Sequence, residues 1–145
     1  MQSLITKLNE YLADLNVFYR KLQNYHWNIE GKDFFILHSK LEEYYNEINK
    51  QIDEVAEFIL SIGGEPLGTM KDYLNTTKIT EAQNMKVKSD IVYTEIIKDF
   101  SHLLECTTKI KQEADEQGDT RTSTFVDEFI ADYTKTLWML KQANV

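Results

Sequence analysis

The sequence predicts an all-α protein, a bundle of four long helices with a short extra helix in one long crossover. Apolar residues recur every three or four positions through four stretches of the 145-residue chain, which is the spacing of amphipathic helices. Only 5 glycines and 1 proline are available to end helices, so each helix is expected to be long. No stretch of useful length alternates apolar and polar residues as a half-buried strand does.

The first predicted helix spans about 25 residues and ends between residues 27 and 30, where Gly31 supplies a turn. Its apolar positions are Leu4, Ile5, Leu8, Leu12, Leu15, Phe18, Tyr19, Leu22 and Tyr25. His26 continues this stripe, four residues after Leu22. Only residues 29–33 separate it from the next apolar run, so the first two helices are expected to pack antiparallel as neighbours.

The second predicted helix runs from about Phe34 to Ser61 and ends at Gly63-Gly64, after which Pro66 prevents a continuation. The connection that follows extends to about residue 84, which is long for a compact bundle. It contains a short helical pattern over residues 67–74.

The third predicted helix follows apolar positions over residues 87–110 and closes at Gly118. The fourth begins within residues 120–124 and continues to the end of the chain. One long crossover among short connections is typical of one class of four-helix bundle. We expect a single domain over residues 1–145.

Composition and charge argue against several functional classes. The formal net charge of −8 disfavours a nucleic-acid surface and suits attraction of cations, although solubility alone also explains it. No apolar run reaches the roughly 20 residues that span a bilayer. The start of the chain lacks a basic segment followed by an apolar core, so we expect no signal peptide and a cytoplasmic protein.

Cys106 is the only cysteine, so no disulfide can form within one chain. Its helical, apolar setting favours a buried, inert thiol over a reactive one. His102, on the same helix, is expected to be a hydrogen-bonded core residue with Asp99 as its neighbour, and no other residue near it is expected to complete a metal site.

Two of the 3 histidines and two carboxylates form the candidate metal site. His26 and His38 both lie near the first turn, so antiparallel packing places them at one end of the helical hairpin. Histidine and carboxylate together are the ligands expected for iron, manganese or zinc. The alternative for Asp53 and Glu57 is a solvated face. Like charges at this spacing mildly destabilise an isolated helix, and a cation would relieve that repulsion.

The spacing of these residues raises a distance problem. Asp53 lies fifteen residues beyond His38, roughly 22 Å along a helix that rises about 1.5 Å per residue. A metal–ligand bond is roughly 2 Å long, so one chain cannot easily bring both groups to one ion. At about 100° per residue, one stripe about 100° wide nevertheless holds His38, Glu42, Asp53 and Glu57. An antiparallel partner helix related by a two-fold axis would set His38 of one chain opposite Asp53 and Glu57 of the other.

The motifs of other sites are absent. Glu-x-x-His, which builds a di-iron site inside a single bundle, does not occur. Nor does His-Glu-x-x-His, Cys-x-x-Cys, a glycine-rich phosphate loop or a Gly-x-Ser-x-Gly elbow. A metal site within one bundle is therefore poorly supported, whereas a site between chains is what the residues allow.

A larger set of positions extends this pattern through almost the whole chain. It consists of His26-Trp27, Gly31, Phe34-Phe35, Leu37-His38, Glu42, Asp53-Glu54-Val55-Ala56-Glu57, Ile62-Gly63-Gly64-Glu65-Pro66, Leu74 and, less tightly, Leu137-Trp138-Met139. This set resembles the signature of the Dps family, the mini-ferritins. The resemblance implies a ferritin-like bundle assembled as a hollow shell of twelve subunits, with ferroxidase centres at two-fold interfaces.

The resemblance also implies that each centre holds two irons, and it implies which residues bind them. One subunit would supply His26, His38 and Glu42, and its partner Asp53 and Glu57. Glu42 stands where many relatives carry aspartate, so its contact with the metal is either direct or mediated by water. Trp27 is implied as an electron donor or radical trap beside the centre, with packing in the core as its alternative.

The implied reaction is oxidation of Fe(II), in this family typically with hydrogen peroxide, and storage of Fe(III) oxide inside the shell. Acidic residues are implied to line the entry channels, although solvated surface charge is the alternative reading for each. The candidates near the third turn are Asp115, Asp119, Asp127 and Glu128.

Two other functions are alternatives to the ferroxidase. A nonspecific DNA-binding protein that protects the nucleoid is disfavoured by the net charge and by the lack of a lysine-rich arm at either end. A secreted shell with a signalling or adhesion role lacks a visible signal peptide. We expect a homo-oligomer that takes Fe(II) and hydrogen peroxide as substrates and has neither DNA nor a membrane as a partner.

Overall fold

The computed structural model describes residues 1–145, which form five helices and two very short strands. In chain order the elements are α1 (Gln2–Asn28), β1 (Ile29–Glu30), α2 (Phe34–Ser61), α3 (Met70–Thr76), β2 (Val87–Lys88), α4 (Ser89–Glu116) and α5 (Thr120–Ala143). The predicted all-α bundle with a short helix in its long crossover is confirmed. None of the five helices has the length and apolar character needed to cross a membrane.

The core forms where the apolar stripes of the four long helices meet. Helix α1 packs mainly against α2, α4 packs mainly against α5, and α1 joins the two pairs through its contacts with α4 and α3. Helix α1 is therefore the most buried element, with a continuous stripe from Leu4 to His26 out of solvent. Burial of such stripes, at about 25 cal/mol per Å² of apolar surface, is what stabilises helices of this length in water.

The end of α2 depends on two adjacent glycines with different structural roles. Gly63 has a φ of 91°, a left-handed conformation that side chains rarely adopt. Gly64 lies against the core, where a Cβ would come within 2.9 Å of the Ile59 side chain and 3.0 Å of Ile5. The first glycine turns the chain and the second lets the crossover pass close to α1 and α2.

The crossover helix lies slightly later in the chain than predicted. The pattern predicted a helix over residues 67–74, whereas α3 begins at Met70 and ends at Thr76. The shift has a local cause, because the Thr69 hydroxyl accepts a hydrogen bond from the backbone N–H of Asp72 at 3.1 Å and so caps the helix.

A short parallel bridge, which the sequence pattern did not reveal, ties the first turn to the start of α4. Ile29 pairs with Val87 and Glu30 with Lys88. Two residues are too few to show the alternation by which strands are recognised. The bridge holds the α1–α2 turn against the rest of the bundle, and the Asp33 carboxylate reinforces it by accepting a hydrogen bond from the Ser89 hydroxyl at 2.9 Å.

The predicted pairing of Asp99 with His102 is wrong. Asp99 is buried and forms an ion pair with the buried Lys21 at 2.8 Å, which links α4 to α1. Burial raises the pKa of the Asp99 carboxyl, and the Lys21 ammonium opposes that rise. A buried ammonium requires such a partner, and Asp99 therefore faces inward instead of turning along its own helix.

His102 is hydrogen-bonded as expected, but to a residue of another helix. Its Nε2 lies 2.7 Å from Oδ2 of Asp14 on α1 and 3.4 Å from Sγ of Cys106. Cys106 is half-buried and not buried as expected. The other Asp14 oxygen accepts hydrogen bonds from the Thr77 hydroxyl and the Lys78 backbone N–H, so Asp14 joins α1, α4 and the crossover.

This contact predicts how stability depends on pH. Hydrogen bonds to Asp14 and then to Cys106 raise the pKa of His102 from 6.5 to about 10. The folded chain therefore holds a proton that the unfolded chain loses near pH 6.5. The stabilisation is fully present below about pH 6.5 and is lost progressively as pH rises to about 10. We expect the difference in Tm between the protein and His102→Gln to narrow over that range in metal-free buffer.

The comparison with His102→Gln at each pH removes the contribution of every other titrating group. A Tm difference that stayed constant from pH 6.5 to pH 10 would show that His102 carries no extra proton in the folded chain.

Candidate metal centre

The short turn between α1 and α2 brings His26 and His38 together. His26 lies in the last turn of α1 and His38 in the first turns of α2. Gly31, with a φ of 121°, reverses the chain between them. The two imidazole rings stack with their centroids 3.7 Å apart and their planes inclined by 10°. The predicted meeting of the two histidines at one end of the hairpin is what the structure shows.

Each histidine is held by the backbone of the other. Nδ1 of His26 lies 2.6 Å from the carbonyl oxygen of His38, and Nδ1 of His38 lies 2.7 Å from the carbonyl oxygen of His26. A carbonyl only accepts, so each Nδ1 carries the hydrogen and donates it. In a neutral ring Nε2 then has no proton and keeps its lone pair, which is the form in which histidine binds a metal.

The same contacts explain why the end of α1 is stable. The last carbonyls of a helix lack partners within the helix. The side chain of His38 satisfies one of them, the carbonyl of His26. His38 is thus both a candidate ligand and the cap of the preceding helix.

Aromatic residues fix the orientation of the two rings. Phe34 stacks on His38 with centroids 4.7 Å apart, and Tyr45 meets His26 edge to face at 5.3 Å. Partial burial and then the Glu42 carboxylate raise the pKa of the Tyr45 phenol. Neither aromatic contact was predicted from the sequence. Phe34 could have been found from its spacing, four residues before His38 on the same helix.

Glu42 lies on the same side as the histidines. Its Oε1 is 3.7 Å from Nε2 of His26, which is longer than a hydrogen bond. The side chain is largely exposed, while that of His26 is buried. A carboxylate at this distance can reach the same cation as the imidazole with a small change of rotamer.

Asp53 and Glu57 do not join this group within one chain. Both are exposed on the continuous helix α2, so Asp53 remains roughly 22 Å along the axis from His38. The one group of three or more such side chains whose ligand atoms approach each other within a chain is Asp14, His102 and Cys106. The expectation that no residue near His102 completes a possible site is therefore wrong.

Trp27 points away from the histidine it follows. Its side chain is 55% exposed, and the Arg20 guanidinium lies 5.7 Å from its ring centroid. It borders a surface depression with Asn24 and residues 81–84 of the crossover. Packing in the core of its own chain is excluded by this exposure. A role in electron transfer stays a prediction.

Two of the candidate pore carboxylates are already engaged within the chain. Asp119 caps α5 by accepting hydrogen bonds from the backbone and the hydroxyl of Thr122. Asp127 is paired with Lys111 at 2.7 Å. Asp115 and Glu128 are exposed and have no such partner, so these two fit a cation path better.

Similarity to known proteins agrees with the fold. Residues 5–144 match the family of proteins with a Ferritin-like domain. A DNA protection during starvation protein of Bacillus anthracis is 39% identical over 140 residues, which cover 97% of this chain and 95% of the relative. The chain belongs to the Dps family.

Solved structures of Dps proteins superpose on this one over nearly its whole length. Dps of Vibrio cholerae O1 is 37% identical with a TM-score of 0.93, covering 97% of this chain and 88% of that chain. Dps of Staphylococcus aureus is 32% identical with a TM-score of 0.95, covering 100% and 97%. The Vibrio cholerae protein is a member of a broad superfamily of ferritin-like diiron-carboxylate proteins. The predicted family and ferritin-like fold are confirmed.

Proposed function

We propose that this Dps-family chain is a ferroxidase and iron store whose catalytic centre forms between two subunits. The observation that carries the proposal is the divided ligand set. Two histidines with free Nε2 atoms lie at one end of α2, and two exposed carboxylates lie on the same face about four turns away. Neither half can enclose a metal ion, whereas the two halves from different chains can.

The face of α2 that carries these residues is self-complementary in one antiparallel register. A two-fold axis between Glu47 and Ile48 would match residues that lie equally far from it on either side. The matched pairs are Phe35 with Leu60, His38 with Glu57, Glu42 with Asp53 and Asn46 with Asn49. A single two-fold rotation therefore pairs all of these residues at once, as an isologous interface requires.

The outermost of these pairs supplies the apolar contact. Phe35 is 83% exposed and Leu60 is 59% exposed in the single chain. In the register above, each would cover the other at both ends of the interface. Covering large exposed apolar side chains favours association in water.

The inner pairs supply the metal ligands. His38 faces Glu57 of the partner subunit, and Glu42 faces Asp53 of the partner subunit. Two facing carboxylates repel each other unless a cation lies between them. Fe(II) between the chains would meet imidazole nitrogen from one side and carboxylate oxygen from both, a ligand set that suits iron.

The residues of the proposed centre have different roles in the reaction. The Nε2 atoms of His26 and His38 bind Fe(II), and their Nδ1 hydrogen bonds keep both rings in the binding tautomer. Glu42, with Asp53 and Glu57 of the partner subunit, balances the charge of the two Fe(II) ions. Holding the two ions together lets one hydrogen peroxide accept both electrons, so its O–O bond breaks to give water or hydroxide without a free hydroxyl radical. The Fe(III) produced is stored as oxide inside a shell, for which we propose twelve subunits.

Replacing both histidines tests the reaction. In the His26→Ala/His38→Ala variant, we expect Fe(II) oxidation by peroxide under anaerobic conditions to slow by at least about tenfold, because the imidazole ligands are gone. Stopped-flow absorbance follows Fe(III) formation, and spin trapping follows the hydroxyl radical, which should rise in the variant.

The oligomeric state of the variant is the control for this experiment. Size-exclusion chromatography should give roughly 200 kDa for protein and variant alike, since each chain is 17.1 kDa and the proposed shell is a closed symmetric one. Unchanged rates and mineral formation in an assembled variant would overturn the ferroxidase assignment. A monomer or simple dimer in the unmodified protein would overturn the storage shell.

Mixed assemblies test the divided site directly. His26→Ala/His38→Ala chains and Asp53→Ala/Glu57→Ala chains should each be inactive alone. When the two are unfolded, mixed in equal amounts and reassembled, one centre in each mixed dimer regains a complete ligand set. Random pairing restores about one centre in four, because half of the dimers are mixed and each has two centres.

Activity recovered near that fraction would support ligands from two chains. No recovery in correctly sized mixed shells would show that the site lies within one chain. Reassembled unmodified protein is the reference for losses during refolding.

DNA binding is the second candidate function because the Bacillus anthracis relative is a DNA protection during starvation protein. The net charge of −8 per chain opposes attraction to phosphates. We expect no retardation of duplex DNA at pH 7.5 and moderate salt in a gel-shift assay. A clear shift that disappears at higher salt would instead show electrostatic DNA binding.

A further inference from the structure

Three side chains of different chemistry converge at a second place in the bundle. Asp14 comes from the middle of α1, and His102 and Cys106 come from one face of α4, four residues apart. Asp14 precedes His26 by twelve residues, about 18 Å along α1, so this cluster is separate from the histidine pair. It uses none of the residues assigned to the ferroxidase.

The Asp14 carboxylate is fixed in place by the crossover. Asp14 is 2% exposed. Its Oδ1 accepts hydrogen bonds from the Thr77 hydroxyl at 2.7 Å and from the Lys78 backbone N–H at 2.8 Å. Its Oδ2 is thereby directed at His102 and Cys106. Outer hydrogen bonds that orient a ligand in this way are typical of metal sites in proteins.

The distances among the ligand atoms are close to those of a tetrahedral site. Sγ of Cys106 lies 3.4 Å from Nε2 of His102 and 3.8 Å from Oδ2 of Asp14, and those two atoms are 2.7 Å apart. With zinc bonds of about 2.0 Å to nitrogen and oxygen and about 2.3 Å to sulfur, neighbouring ligand atoms in a tetrahedron are about 3.3–3.6 Å apart. The sulfur–nitrogen distance already lies in this range, and the sulfur–oxygen distance exceeds it by about 0.2 Å. The nitrogen and oxygen would separate by about 0.6 Å as the ion replaces the shared proton.

The cluster opens onto a cavity of about 360 Å³ that all three side chains line. Glu10 and Glu105 lie on its walls with three lysines, Lys7, Lys78 and Lys109, and Glu105 is paired with Lys109 at 2.8 Å. The His102 side chain is 26% exposed, so a metal ion can reach it, and a water molecule or the Glu10 carboxylate can take the fourth position.

We propose that Asp14, His102 and Cys106 form a zinc-binding site within each chain. Thiolate sulfur, imidazole nitrogen and carboxylate oxygen are all zinc ligands, and three protein ligands with one open position is the arrangement of zinc sites that bind a water or a small ligand. The thiolate makes the site a poor match for the hard cations magnesium and calcium.

The charge of the site balances when the metal binds. Without metal, a proton lies between Nε2 of His102 and Oδ2 of Asp14, whose separation of 2.7 Å is that of a hydrogen bond. Zinc displaces that proton and the thiol proton. Two positive charges enter and two protons leave, so the half-buried cluster keeps its net charge.

Cobalt(II) provides a probe that distinguishes this site from the ferroxidase. Cobalt takes the place of zinc, and a bound thiolate gives a charge-transfer band in the near ultraviolet. Cys106 is the only cysteine, so that band can come from no other residue. The assembled protein, stripped with a chelator and kept reduced and anaerobic, should show the band saturating with about one thiolate-bound cobalt per chain and should lose it when zinc is added.

Variants separate the possible results. The band should disappear in Cys106→Ser and persist in His26→Ala/His38→Ala, whose ferroxidase ligands are gone. Thr77→Val removes one hydrogen bond to Asp14 and should weaken cobalt affinity by about 10- to 100-fold with the band still present. No band in the assembled unmodified protein, or one only at millimolar cobalt, would overturn the proposal and leave the cluster as a hydrogen-bonded contact.

Discussion

The reciprocal hydrogen bonds between His26 and His38 are the contact on which the candidate ferroxidase depends. Each ring donates through Nδ1 to the carbonyl of the other residue, so backbone atoms hold both rings in addition to the aromatic side chains around them. The same bonds cap α1 and close the turn to α2. A site built in this way is preorganised, because the energy that orients the ligands is already part of the fold.

Helix α2 imposes the second constraint, which is distance. A continuous helix of 28 residues holds its two ends apart, and no side-chain rotation can bring Asp53 back to His38. A long helix can nevertheless carry complementary groups at equal distances on either side of its midpoint. A two-fold axis through that midpoint would then bring each group against its complement on the partner helix. The exposed Phe35 and Leu60 would then supply apolar contact to an interface whose inner pairs are charged. Metal binding and association would stabilise each other, since facing carboxylates favour a cation and the cation favours the paired chains.

Local sequence rules predicted much of the fold because helix ends are set locally. The bounds of α2 match the prediction because Gly63, Gly64 and Pro66 leave no alternative beyond its end. The bridge between β1 and β2 was not predicted because strands of two residues are too short to show the alternation of apolar and polar residues. The histidine pair was found because its members are close in sequence and flank one turn.

These local rules could not predict contacts between segments that are far apart in the sequence. The partner of His102 is Asp14, which is 88 residues earlier on another helix, and neither periodicity nor spacing links the two. The nearest carboxylate in sequence, Asp99, was the wrong choice because the buried ammonium of Lys21 takes it. Such pairings are decided by which buried charge most needs compensation, and that depends on the packed helices.

The two candidate metal sites place different demands on assembly. In the proposed ferroxidase, the histidine pair lacks its carboxylates until a second chain arrives, so an unassembled subunit would bind Fe(II) poorly. The Asp14 cluster is complete within one chain and joins α1, α4 and the crossover, so a zinc ion there would strengthen the subunit before it assembles. Zinc has no redox chemistry of its own, so an ion held there would stabilise the fold without reacting with Fe(II) or peroxide.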